Sequence, residues 1–206
     1  MALMTLGEVL EAVRRDPLAF LTSRRLGSLS HFLSGRDLAL NHLGIGGWSD
    51  LPIVGRVEQH HGATTTPWRS WTDIVEFFAL DEWDAFDKFL AFACGWNDPV
   101  PAPPTSFATP PPVATLLEQV ARRPPMFLGK KSCLRLADFL RGYLCTLGAS
   151  DDVQELERFC AKIPALCGDD TGRPWFRVLR FRIGSQEEAF DEFFRLWALE
   201  RAATGR

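Results

Sequence analysis

The side chains best suited to chemistry are four histidines, five cysteines and a run of acids, and their spacing decides whether any could act. His60 and His61 precede a Gly-Ala-Thr loop. Neighbouring residues point in different directions on most backbones, and no third ligand stands at helix or strand spacing, so no metal site is expected. His31 and His42 lie on or beside a helical segment and read as surface or helix-end residues. Cys94, Cys133, Cys145, Cys160 and Cys167 are odd in number and scattered. They offer neither a disulfide framework nor a Cys-x-x-Cys pair, which leaves buried, reduced thiols. Gly-x-Ser-x-Gly is absent, and Ser34-Gly35-Arg36 falls within a helix rather than on a strand-to-helix elbow. Gly44-Ile45-Gly46-Gly47 lacks the Lys-Ser/Thr that would make it a phosphate loop. Catalytic residues, metal ligands and cofactors are therefore all expected to be none, and the chain is read as a non-enzyme.

The acids carry more signal. Asp73, Glu76, Asp81, Glu82, Asp84 and Asp87 follow one another without an intervening basic residue, with Trp71 before them and Trp83 among them. Acids in the first turn of a helix are favoured by its dipole, which accounts for Asp81, Glu82 and Asp84. The same eight residues also describe an acidic patch with aromatic anchors, the chemistry that steers and holds a basic protein partner. They form the candidate partner-binding site.

The elements that would position this patch come from an internal repeat. Val9–Arg36 aligns without gaps on Leu116–Tyr143 at an offset of 107 residues, with eleven identities in 28 positions. Among these are Leu10/Leu117, Pro17/Pro124, Phe20/Phe127, Phe32/Phe139 and Gly35/Gly142. Pro67-Trp68 matches Pro174-Trp175 at the same offset, and after a three-residue difference Ala85-Phe86-Asp87 matches Ala189-Phe190-Asp191. The expectation is two tandem homologous helical domains of about four helices each, residues 1–96 and 115–206. Between them runs a linker, 97–114, whose seven prolines from Pro99 to Pro112 exclude helix interior and central strand.

Within each copy the apolar residues follow helical spacing. Leu6, Val9, Leu10 and Val13 are repeated in phase by Val113, Leu116, Leu117 and Val120. Pro17 and Pro124 end this first helix. A second carries Leu29, Phe32, Leu33 and Leu40, matched by Leu136, Phe139, Leu140 and Leu147, and Gly44 and Gly148 stand where a helix-ending glycine belongs. Gly35 and Gly142 fall inside that helix, at a cost of about 1 kcal/mol each against alanine, which suggests close approach of another helix. A further helix is expected to begin at each Pro-Trp, with a short strand as the other reading of Phe176–Ile183. The last helix begins near Asp81 in one copy and at the capping box Ser185-Gln186-Glu187-Glu188 in the other. Gly44–Thr66 reads as a loop, whereas Asp152–Ile163 reads as a helix.

The 206 residues are 46% apolar and 24% charged, which excludes wholesale disorder. A net charge of −3 argues against a direct nucleic-acid binder. It conceals an imbalance: 8 basic and 13 acidic residues up to Asp98, against 15 and 13 from Val113 onward. Arg173, Arg177 and Arg180 stand in the second copy where the first is acidic, spaced i, i+4, i+7 if helical. The N-terminus lacks the features of a signal peptide and no stretch suits a membrane span, so a cytoplasmic location and no membrane partner are expected. The 16 Phe and 7 Trp are read mainly as core.

Arg122-Arg123-Pro124-Pro125-Met126-Phe127-Leu128-Gly129, then Leu136-x-x-Phe139-Leu140-x-Gly142-Tyr143, closing with Ala189-Phe190-Asp191-x-Phe193-Phe194, resembles small bacterial immunity-type proteins of polymorphic or secreted toxin systems. The likeness covers most of Leu116–Trp197 and more loosely Val9–Phe92. It implies a protein that neutralises a cognate toxin by binding alone, and the acidic patch suits a toxin with a basic surface. The first string also resembles a segment of gyrase-type ATPases, but the magnesium, adenine and lid motifs of those enzymes are not recognisable. Two other readings remain: a small-ligand binder or enzyme with a pocket between the copies, using His60 or His61, and a self-associating adaptor.

Overall fold

The computed structural model describes residues 4–45, 50–62, 70–96 and 108–204. Among them the protein is mainly helical, with no strand. Six helices precede residue 97: α1 (Leu6–Arg15), α2 (Pro17–Phe20), α3 (Leu26–His42), α4 (Asp50–His61), α5 (Trp71–Phe77) and α6 (Glu82–Ala93). Six follow: α7 (Val113–Arg122), α8 (Pro124–Leu128), α9 (Cys133–Leu147), α10 (Asp151–Leu166), α11 (Trp175–Ile183) and α12 (Gln186–Ala203). That is more than the expected four on each side: the Pro17 and Pro124 elbows each start a short helix, and α4 and α10 add one more to each half. Most of the proline-rich segment lies outside the described residues. Ala108, where its described part begins, donates from its backbone to Leu43 O (3.1 Å), and α7 begins two residues earlier than the expected boundary.

Local sequence accounts for the helix starts. Thr5 and Glu8 close a reciprocal capping box on α1, and Ser70 and Asp73 do so on α5. Ser150 and Ser185 accept from the third residue of α10 and α12. The Ser185 hydroxyl also donates to Glu188 Oε2 (2.8 Å). Gly148 ends α9 with φ +71°, and Gly44 follows α3 with φ +72°.

The buried apolar side chains fall into two clusters. One joins Leu10, Val13, Leu29 and Phe32 to Val57, Trp71, Ile74, Phe86 and Phe89. The other joins Leu117, Val120, Leu136 and Phe139 to Phe159, Leu179, Phe190 and Phe193. Matching pairs recur: Trp71 lies 4.6 Å from Phe89, ring to ring, and Trp175 lies 4.7 Å from Phe193. Arg24 pairs with Asp87, and Lys131 with Asp191 at 2.8 Å.

One expectation is corrected and one choice between alternatives is decided. Gly44–Thr66 is not all loop, because α4 occupies its middle; Ile53 and Val57 are buried in the first cluster, and this packing outweighs Gly55 in its interior. The helix expected to begin at the second Pro-Trp is present as α11, so Phe176–Ile183 is not the alternative strand, with Phe176, Val178 and Leu179 buried. Pro67-Trp68 lies outside the described residues, and the tryptophan packed on Phe89 as Trp175 is on Phe193 is Trp71.

Helices α3 and α9 join the two clusters, packed along one another. A Cβ added at Gly35 would overlap Phe139 O and lie 2.8 Å from Phe139 C and 3.1 Å from Tyr143 N. One added at Gly142 would overlap Phe32 O and lie 2.7 Å from Phe32 C and 3.1 Å from Arg36 N. Each glycine thus receives the other helix's backbone. Around this crossing, the backbone N–H of Thr22 donates to Asp138 Oδ1 (2.6 Å) and its hydroxyl to Oδ2 (2.8 Å). His31 is no surface residue: its Nε2 lies 3.3 Å from Leu128 O across the same contact, and burial depresses its pKa. His42 Nδ1 meets the Tyr143 hydroxyl at 2.9 Å.

Two predictions follow from this contact. Gly142→Ala should lower stability by about 2–4 kcal/mol through forced separation of the helices, whereas Gly55→Ala, with nothing within 4 Å of its added Cβ, should raise it by about 1 kcal/mol. Urea unfolding of the two variants measures both. For Asp138, burial raises the carboxyl pKa from 3.8 to about 6, against the opposing hydrogen bonds from Thr22 and Ser28. A carboxyl that holds its proton more tightly when folded than when unfolded stabilises the fold below both values, and that contribution is lost as pH rises through about 6. Relative to Asp138→Asn, the wild type should lose on the order of 2 kcal/mol between pH 4 and pH 7. Parallel curves for the two proteins across that window would refute it.

Candidate functional site

The expected binding residues gather at the corner between α5 and α6, and the structure divides them by role. Trp71 is 3% exposed and packed on Phe89, so it is a core residue and not a surface anchor. Its spacing with Ile74 and Val75 puts all three on the buried face of α5. Asp73 closes the α5 capping box by accepting from Ser70 N (2.9 Å). Asp81 caps α6, accepting from Trp83 N and Asp84 N, both at 2.8 Å. Asp84 accepts from Leu80 N (2.8 Å) and pairs with Lys88 (2.8 Å). The bond from Lys88, then that from Leu80, lowers its pKa.

The remaining acids differ in their freedom. Glu82 pairs with Arg25 at 3.0 Å, and Asp87 accepts from Arg24 at 2.6 Å. Glu76 is exposed and has no hydrogen-bond or ion-pair partner among the described residues. Its pKa is raised by partial burial and then by Asp73 and Glu82. Of the eight residues, Glu76 and Trp83 alone combine an outward position with an uncommitted side chain.

The apolar residues that share this corner were not singled out by sequence. Phe77 is 75% exposed, Leu80 91%, Trp83 57% and Phe78 44%. Four large apolar side chains at one surface turn are more than the scattered singles normal on soluble proteins. The backbone beneath them is held at both ends: Leu80 N is bonded to Asp84, and Lys88 Nζ donates to Phe78 O (3.1 Å). His61 stacks on Phe78 at 4.7 Å, and His60 on Phe92 at 4.1 Å, so both histidines serve as aromatic packing partners. Nearby burial, then His60 and Lys88, depresses the His61 pKa.

The corner faces a basic wall across a cleft of about 430 Å³. Glu76 and Glu82 line it from one side, and Lys130, Arg135 and Arg180 from the other. Arg177 and Arg180 lie on α11, as does Phe181, 77% exposed; Arg173 precedes the helix and is not on that face. No group of three or more His, Cys, Asp or Glu suited to a metal occurs among the described residues. All five cysteines are free, and burial raises the Cys133 thiol to about 12, far from the thiolate that reactivity needs. No helix among the described residues is long and apolar enough to cross a membrane.

Comparison with protein families, characterised proteins and solved structures finds no match to this chain.

Because Asp81 supports the helix and Glu76 does not, their alanine variants should separate. Asp81→Ala should cost about 1 kcal/mol of stability, and Glu76→Ala should stay within about 0.5 kcal/mol of the parent. Thermal unfolding of the pair gives the comparison.

Proposed function

We propose that this chain is an immunity-type protein that binds and neutralises a cognate toxin domain, with no chemistry of its own. It is built from two related helical units, residues 1–96 and 115–206, joined by the proline-rich segment. The two units are supported by the 107-residue repeat and by the paired contacts: Gly35 on Phe139 with Gly142 on Phe32, Arg24 on Asp87 with Lys131 on Asp191, and Trp71 on Phe89 with Trp175 on Phe193. The immunity reading rests on the resemblance of the repeated strings.

The observation that carries the binding reading is the joint exposure of Phe77, Phe78, Leu80 and Trp83 beside the unpaired Glu76. Aromatic side chains at the centre of a contact supply most of its energy, and surrounding charge sets the rate of encounter. The partner surface that suits this corner is an apolar hollow rimmed by Lys and Arg. Asp73, Asp81 and Asp84 support that surface from beneath through their caps rather than by meeting the partner.

The test is co-expression with the product of each gene adjacent to this chain's own, scored for toxicity and rescue, followed by kinetics on the purified pair. Leu80→Asp and Trp83→Ala should each weaken the complex tenfold or more with an unchanged unfolding midpoint. Glu76→Lys should slow association, most clearly at low salt. A neighbouring toxin that is neither bound nor neutralised would end the immunity reading. A complex indifferent to both Leu80→Asp and Trp83→Ala would move the binding surface elsewhere.

A further inference from the structure

A second hollow, of about 490 Å³, opens along the seam where α2 and α3 meet α9, α10 and α11. Its walls are mainly apolar, from Phe20 and Phe32 on one side of the seam to Leu140, Leu144, Val153 and Trp175 on the other. It shares no lining residue with the α5–α6 corner. Its volume lies in the range, about 300–1,000 Å³, that encloses small organic ligands.

One cation stands in this apolar lining. The Arg141 guanidinium rests over the Phe176 ring at 5.1 Å, and its Nη1 is buried with no hydrogen-bond partner. The nearest negative group along its own helix is Asp138, whose two carboxylate oxygens are already engaged by Thr22. Arg177 adds positive charge from α11, and Glu157, also in the lining, is exposed and forms no ion pair with Arg141 among the described residues. Asp138 attracts Arg141 through space but makes no hydrogen bond to it, so the partly desolvated guanidinium keeps an unsatisfied N–H that an anion delivered into the hollow would relieve.

Sequence places this combination on one side of the seam only. Within the ungapped part of the repeat, Ala19 and Arg141 correspond to Met126 and Ser34. A small residue and the arginine therefore meet at this hollow, and a larger residue and no cation stand at the two related positions. A repeated unit packed for stability alone has no need of that difference.

We infer that this seam hollow is a binding site for a small organic anion, a monocarboxylate with an apolar tail, whose carboxylate meets Arg141 and whose tail lies against Phe20, Leu144 and Trp175. The apolar walls disfavour an inorganic anion, which would lose its hydration there with a single compensating charge. This site is independent of any protein partner, so its test is run on the full chain alone and its outcome leaves the toxin-binding reading untouched.

Decanoate is the probe, with decanol and decyltrimethylammonium as equal-length controls, measured by isothermal titration at pH 7.5. Decanoate should bind one per chain, at least tenfold more tightly than decanol, with the ammonium weaker still. Arg141→Met, which keeps the stem and removes the charge, should lower decanoate affinity about tenfold and leave decanol unchanged. Ala19→Trp, which fills the hollow from the α2 side and spares the arginine, should abolish binding of both and covers the case in which Arg141→Met does not fold. Absence of decanoate binding, equal affinity for decanoate and decanol, or undiminished binding in Ala19→Trp would each overturn the inference.

Discussion

The fold depends on how closely α3 and α9 approach. Interaxial separation is set by the side chains at the contact, and here both are hydrogen atoms: Gly35 meets the Phe139 carbonyl and Gly142 the Phe32 carbonyl. The reciprocity matters more than either glycine. Each helix offers a notch at the position where the other offers a backbone carbonyl, so register and crossing point are fixed together. From that fixed point Thr22 reaches Asp138, His31 reaches Leu128, and His42 reaches Tyr143. The seam hollow and the polar cleft are the spaces left beside the crossing.

The legible and illegible parts of this fold differ in physical kind. Helices that bury one continuous stripe announced themselves: α1 and α7 through Leu10, Val13, Leu117 and Val120, and the glycine pair through its persistence at helical positions. Helix α4 did not, because Asp50–His61 contains Pro52 and Gly55 and gains its order from Ile53 and Val57 against the core. Local propensity cannot register that tertiary gain. Trp71 was misplaced because its acidic neighbours suggested a surface, although its spacing to Ile74 and Val75 carried the opposite message. Phe77, Phe78 and Leu80 escaped notice because large apolar residues default to the interior, and only the path of the backbone reveals which of them it leaves outside. His31 was hidden for the converse reason: its partner, Leu128 O, is 97 residues away.

Charge in this protein is mostly architecture. The first half carries an excess of acids, but three of the six at the corner are caps and two are ion-paired to Arg24 and Arg25. Exposed pairs of this kind contribute about 0–1 kcal/mol each, so they orient helices more than they stabilise them. What they remove is free negative charge. A count of acids therefore overstates the electrostatic field at the corner, and Glu76 is the residue whose charge remains available to a partner. The basic wall opposite is less committed, since Arg180 and Lys130 face the cleft without an ion-pair partner among the described residues.

On the proposed reading, the caps would lower the cost of binding at so small a corner. Association loses free energy to ordering side chains and loops, and a segment already held in its bound shape loses less. The turn from Phe78 to Asp81 is short, and each end of it is fastened: Phe78 O to Lys88, Leu80 N to Asp84, and Asp81 to the first turn of α6. Phe78 is further clamped by the His61 ring. The exposed Leu80 and Trp83 side chains thus project from a backbone with little left to lose, and their apolar area converts to affinity with a small entropic penalty. On this view the acids and the aromatics at the corner have one purpose divided between them, the acids fixing the frame from which the aromatics reach the partner.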